Sequence, residues 1–220
     1  MAFIDTHTVI SPGKPAPDFR LPAIDGSGTI SLDDYRGKTP LFLALFVGLW
    51  CPFCRRSLAQ LASIEPSLKR IGVETLGVVA TATENAQLYF KFRPTRLRLA
   101  SDPDLVTHQA YGIPKLPATP EFMQTVYETP INPDGILPAP RPVAEVAAAL
   151  TKLDGYVDTD TDRAELARQW PQLKGQFLID RDGVVRWVNI ECGNDDGAAG
   201  IGKFPSADEI LTAARTMLRN

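Results

Sequence analysis

Hydrophobic positions along the chain follow two rhythms and include one uninterrupted run. The run, Leu41 to Trp50, has no charged residue, and its Leu41 to Val47 part suits a strand buried on both faces. After Pro52, residues Leu58, Leu61, Ile64, Leu68 and Ile71 recur at spacings of three and four, which is the helical period. Pro66 is expected to kink or end that helix. Thr75 to Ala80 is again short, apolar and β-branched. Together these segments predict a strand, helix, strand unit with parallel strands and a right-handed crossover. A helical pattern over Glu84 to Phe92 stops before Pro94, Leu97 to Ala100 reads as another strand, and Asp102-Pro103 starts a helix reaching about Tyr111.

Other segments lack these rhythms. Ser11 to Phe19 is rich in proline and reads as an extended surface arm, followed by a turn at Asp25-Gly26-Ser27-Gly28 and a short strand from Thr29 to Leu32. Pro114 to Pro142 holds eight prolines and little periodicity, which predicts a loop or arm outside the main sheet. Val143 to Leu153 and Arg163 to Trp170 read as helices, so residues 113–170 form an insertion, part proline-rich and part helical, in a single domain spanning 1–220. Phe177 to Asp180 and Val184 to Asn189, joined by Arg181-Asp182-Gly183, predict a hairpin. Ser206-Ala207-Asp208-Glu209 is a capping box opening a C-terminal helix, with Ile210, Leu211, Ala214, Met217 and Leu218 on its apolar face.

Composition narrows the function classes. With 23 basic and 26 acidic residues among 220, the chain lacks the concentrated positive charge that a phosphate backbone requires, so nucleic acid is not an expected partner. The longest apolar run falls far short of the roughly 18 residues that span a bilayer, and no membrane association is expected. The opening residues, Met1 to His7, carry neither a basic nor an apolar leader pattern, which gives an expected cytoplasmic location. Three cysteines cannot make a disulfide framework, so their chemistry lies elsewhere.

Two of them form the segment Trp50-Cys51-Pro52-Phe53-Cys54, at the junction of a buried strand and a helix. With Cys51 at the N-cap and Pro52 at the first helical position, the Cys51 thiolate meets unpaired amides and the positive end of the helix dipole. Arg55 and Arg56 are expected to add positive charge nearby. Cys51 is therefore the candidate nucleophile, and Cys54, one turn on, the thiol that resolves a mixed disulfide. A zinc site would need two further ligands, and Cys192, His7 and His108 offer no recognisable spacing for it. Cys192 is expected to be a semi-buried plain thiol, and both histidines to be solvated. Trp50 reads equally as core or as the rim of the site.

Several segments resemble the thioredoxin-like superfamily and, within it, the alkyl hydroperoxide reductase and thiol-specific antioxidant (AhpC/TSA) group of peroxiredoxin-like redoxins. They are Pro15 to Phe19, Ile30 to Lys38, Ser101 to Asp104, Ala110-Tyr111-Gly112 and Gly175 to Val185, over about residues 12–112 and 170–219. The resemblance implies an α/β thioredoxin-like fold, a central mixed sheet flanked by helices with the cysteine pair at its edge. The chain departs from peroxiredoxins at their Pro-x-x-x-Thr/Ser-x-x-Cys motif. With Cys54 as the peroxidatic residue, Cys51 and Val47 replace threonine and proline; with Cys51 there, Gly48 and Ala44 do. Their arginine before the hairpin is Lys174, and the proline that thioredoxins place there is missing from Lys174-Gly175-Gln176.

The expected activity is that of a thiol-disulfide oxidoreductase cycling Cys51 and Cys54, without a cofactor. Its substrate is a disulfide or hydroperoxide and its reductant a thioredoxin-type protein or small thiol. The alternatives are a thiol-dependent peroxidase, and a binding module using the proline-rich arm to hold a partner or form a homodimer.

Overall fold

The computed structural model describes residue 4, residues 8–193 and residues 197–219. β1 (Arg20–Pro22) and β2 (Thr29–Ser31) pair with each other in a separate ribbon. β3 (Leu41–Phe46), α1 (Pro52–Arg70) and β4 (Glu74–Val79) follow as the expected unit, with β3 and β4 parallel. After α2 (Thr83–Phe92), β5 (Arg98–Ser101) adds a third parallel strand. α3 (Val106–Ala110) leads to α4 (Pro120–Glu128), the two-residue strands β6 (Pro130–Ile131) and β7 (Arg141–Pro142), α5 (Val143–Leu153) and α6 (Asp160–Gln169). The hairpin β8 (Gly175–Ile179) and β9 (Val185–Ile190) returns to the sheet antiparallel to β3, and α7 (Ala207–Arg219) closes the chain.

The five-stranded order is β5-β4-β3-β8-β9, a mixed sheet of the expected α/β type. Its central strand is β3 because every one of its six side chains is buried, which only a strand covered on both faces tolerates. On one side of it Phe46 stacks on Phe204 at 6.0 Å; elsewhere in the core Phe177 meets Tyr111 at 4.7 Å. None of residues 114–142 joins this sheet, so the proline-rich segment stays outside it as expected.

Four local expectations need correction. α1 runs through Pro66 to Arg70, because only one further turn follows the proline and Leu68 anchors that turn in the core. The proline-rich segment contains α4, since Pro120 occupies the first helical position, where its missing amide costs nothing, and the Thr119 hydroxyl caps the Phe122 amide. α3 starts at Val106 rather than at Pro103, although the Asp102 carboxylate still accepts the Val106 and Thr107 amides. Finally His108 is fully buried, not solvated: α3 turns Thr107 and His108 inward and leaves Val106 61% exposed, the reverse of its polarity pattern. His7 lies outside the described residues.

Candidate active site

The parallel strands β3 and β4 end side by side, and the turn Val47 to Trp50 carries the chain from β3 into α1. Cys51 is the N-cap of α1 with extended backbone (φ -78°, ψ 114°), and its Sγ accepts the Cys54 amide at 3.4 Å. Cys51 keeps 8% exposure and Cys54 none, and the two sulfurs are not bonded to each other. The N-cap arrangement expected from Pro52 is thus present, with Cys51 slightly exposed and Cys54 fully buried.

The two sulfurs differ in chemistry as well as in access. Burial opposes ionisation of Cys51, but the Cys54 thiol, the charge of Lys174 and the Cys54 amide together outweigh it and hold Cys51 below the ordinary thiol range. Cys54 is pushed well above that range by burial, then by its hydrogen bond to Cys51 and the Cys51 charge. The arrangement thus favours the thiolate on Cys51 and the protonated thiol on Cys54.

The cation responsible is not the one expected from the sequence. Arg55 is buried and turned away: its guanidinium donates to the Leu49 and Trp50 carbonyls at 2.9 and 3.0 Å, pairs with Asp154 at 2.9 Å and lies 4.1 Å over the Tyr156 ring. It fixes the turn before Cys51 to the residues after α5, and Asp154 neutralises it. Neither Arg55 nor Arg56 is among the leading influences on Cys51. Lys174 takes that part from across the sheet. Its side chain is 2% exposed and its Nζ stands 3.2 Å from Glu191 Oε1, without a hydrogen-bond partner of good geometry among the described residues. Burial disfavours its charge, but Glu191 and then the two cysteine sulfurs more than offset this and raise its pKa above the usual lysine range. Glu191 is itself held, accepting the Gly202 amide at 2.7 Å and the Lys174 amide at 3.2 Å.

The 113–170 segment completes the site. The Gln169 side chain, at the end of α6, accepts the Gly48 amide at 2.9 Å and the Trp50 indole N–H at 2.8 Å through Oε1, and donates through Nε2 to the Ala80 carbonyl. One amide thus ties the ends of β3 and β4 to the Cys51 turn. Gly48 has to be glycine, because a Cβ there would collide with Trp50 and Gln169. One turn earlier on α6, Glu165 accepts the Ala82 amide at 3.1 Å and the Thr81 hydroxyl at 3.0 Å, while Thr81 accepts the Leu49 amide. Buried backbone groups at the strand ends, which need partners, therefore find them in a helix more than eighty residues away in sequence.

Trp50 rims the site, half-buried, with its ring edge-on to Trp170 at 6.4 Å, and Trp170 stacks on Tyr127 at 6.2 Å. Cys192 is fully buried rather than semi-buried; it lies just past β9 in the left-handed region (φ 61°), beside Glu191. Sequence reasoning missed Gln169, Glu165 and Glu191, and took Lys174 only as a replaced arginine. Position relative to Gly175, the first residue of β8, was the one available pointer to Lys174.

The AhpC/TSA family model matches residues 12–188. No curated protein matches the chain. Among solved structures, the reduced 2-Cys peroxiredoxin of Plasmodium vivax is similar at 17% identity, covering 96% of this chain and 98% of that one, with a TM-score of 0.60. Peroxidoxin BcpB of Mycobacterium tuberculosis is similar at 15% identity, over 94% and 98%, with a TM-score of 0.57. A putative protein disulfide isomerase of Bacteroides thetaiotaomicron reaches a TM-score of 0.52 at 16% identity, over 96% and 92%. At such identities these structures speak for the fold, which is thioredoxin-like and of the peroxiredoxin kind, while the family rests on the sequence match: over most of its length, from the proline-rich arm to β9, the chain belongs to the AhpC/TSA family.

Proposed function

We propose that the protein is a thiol-disulfide oxidoreductase in which Cys51 attacks the substrate and Cys54 resolves the resulting mixed disulfide. The asymmetry of the two cysteines carries this reading: Cys51 keeps slight exposure and lines a groove with its thiolate favoured, and Cys54 is fully buried with its thiol favoured. Attack by a thiolate forms a bond between Cys51 and one substrate sulfur, and the other substrate sulfur leaves. Cys54, within one helical turn, then loses its proton and displaces the remaining substrate sulfur, closing a Cys51 to Cys54 disulfide. A thioredoxin-type protein or a small thiol of the cytoplasm restores the dithiol. The chemistry needs no cofactor.

Trapping tests it. Cys54→Ser should accumulate mixed disulfides on Cys51, and Cys51→Ser should react with neither disulfides nor peroxide. Native reactivity in Cys51→Ser would transfer the nucleophile to Cys54 and overturn the assignment.

A thiol-dependent peroxidase is the second reading, favoured by the buried Lys174 cation, which is placed to stabilise negative charge beside both sulfurs. It differs from the first in the bond attacked, O–O instead of S–S: Cys51 becomes a sulfenic acid as hydroxide or an alkoxide leaves, and Cys54 then displaces water to close the disulfide.

A further inference from the structure

Cys51 opens into a groove of about 770 Å³ between the start of α1 and the 113–170 segment. Trp50, Trp170, Tyr127 and Leu166 line it with Cys51, and α5 contributes only small side chains there at Ala144 and Ala148. That volume is in the range of sites for small organic molecules.

We infer that this groove binds the substrate, and that the substrate is a neutral low-molecular-weight disulfide carrying an aromatic or branched apolar group on its sulfur. This rests on the reading of Cys51 as the attacking thiol.

Three observations select that class. Cys51 lines the same groove as Trp50 and Trp170, whose rings lie 6.4 Å apart, so a group carried on the attacked sulfur is offered their apolar faces. Most of the walls beyond the Cys51 turn are side chains of α4, α5 and α6, whose backbone groups are consumed within the helices; an extended peptide finds no strand edge to pair with there. The charged residues of the lining are Lys152 and Asp158, one of each sign, so a disulfide bearing several carboxylates meets no surplus of positive charge.

The reaction balances without a further component. Cys51 thiolate bonds to the sulfur that carries the apolar group, the substrate S–S bond breaks, and the other sulfur leaves as a thiolate and takes a proton from solvent. Cys54 gives up its proton and attacks Cys51, releasing the second thiol, so the substrate is reduced to two thiols and the protein oxidised to a disulfide.

Two probes separate the outcomes, benzyl 2-hydroxyethyl disulfide and bis(2-hydroxyethyl) disulfide, each rate constant being normalised to that with dithiothreitol. The reduced protein should favour the benzyl compound by about ten-fold or more, as expected when a phenyl ring leaves water. Ala148→Glu, on an exposed helical position that glutamate tolerates, should bring the ratio to about one. Equal normalised rates for the two probes in the wild type, or a ratio unmoved by Ala148→Glu, would overturn the groove assignment alone. Silence toward both probes would instead overturn the reading of the cysteine pair and this inference with it.

Discussion

The Lys174 ammonium lies 3.2 Å from the Glu191 carboxylate, both side chains are shut away from water, and the cation also interacts electrostatically with the Cys51 and Cys54 sulfurs. Such a pair is held in place as much by the penalty for separating it as by its attraction.

Lys174→Met should cost about 3–5 kcal/mol, because it strands the Glu191 charge in the interior. The double variant Lys174→Met/Glu191→Gln removes both charges and should recover most of that stability in urea unfolding. Since Lys174 lowers the Cys51 pKa more than Glu191 raises it, the double variant should still alkylate more slowly at neutral pH. Its iodoacetamide profile should move to higher pH than the wild type's. An unmoved profile would show that the helix end alone activates Cys51.

Gln169→Leu deprives the Gly48 amide, the Trp50 indole and the Ala80 carbonyl of one shared partner. Each buried group left unmade costs about 1–3 kcal/mol, so a loss of at least about 2 kcal/mol is expected. Trp50 emission should shift as its ring is freed, and native stability with native emission would contradict the latch.

His108 is buried with neither ring nitrogen hydrogen-bonded among the described residues, and burial pushes its pKa down from 6.5 to about 3. Only the neutral ring fits the fold. The unfolded chain takes up a proton below pH 6.5 that the folded one refuses until about 3, so stability is full above 6.5 and falls between those values, by up to about 1.4 kcal/mol per pH unit. His108→Leu should flatten this window without loss at pH 7.5, because no hydrogen bond of its ring is given up. A wild-type acid profile retained in His108→Leu would assign the window to other groups.

Hydrogen peroxide should react slowly. In either register the hydroxyl and proline of the peroxiredoxin motif are replaced, and Lys174, a single point charge, is engaged by Glu191. Losing one well-placed donor typically costs about a hundred- to a thousand-fold. Stopped-flow oxidation followed through Trp50 should give a rate constant below roughly 10⁴ M⁻¹s⁻¹, the lower end of ordinary enzyme efficiencies. A faster reaction would make peroxidase the first reading.

The sheet was legible where one force dominates. β3 announces itself as an unbroken apolar run, α5 was read to the residue from its alanine-rich period, and Cys51 at the end of α1 followed from Pro52. α4 was missed because Pro120 reads equally as a breaker or a first helical residue, and only the Thr119 cap decides. The electrostatics of the site were illegible for a different reason. Charged residues are normally read as solvated, and nothing local to Lys174 or Glu191 says that each buries the other. Arg55, adjacent to the cysteines in sequence, misled for the same cause: its partner Asp154 is ninety-nine residues away.

The distance between Gly48 and Gln169, 121 residues, also sets a schedule. Synthesis at about 5–20 residues per second leaves the cysteine pair outside its finished setting for on the order of ten seconds, until α6, Lys174 and Glu191 have emerged in turn. Over that interval neither the amide latch nor the buried cation exists, and Cys51 has only the Cys54 thiol and amide of its own helix to favour its thiolate. The setting of the cysteine pair is thus completed only by residues from the last third of the chain.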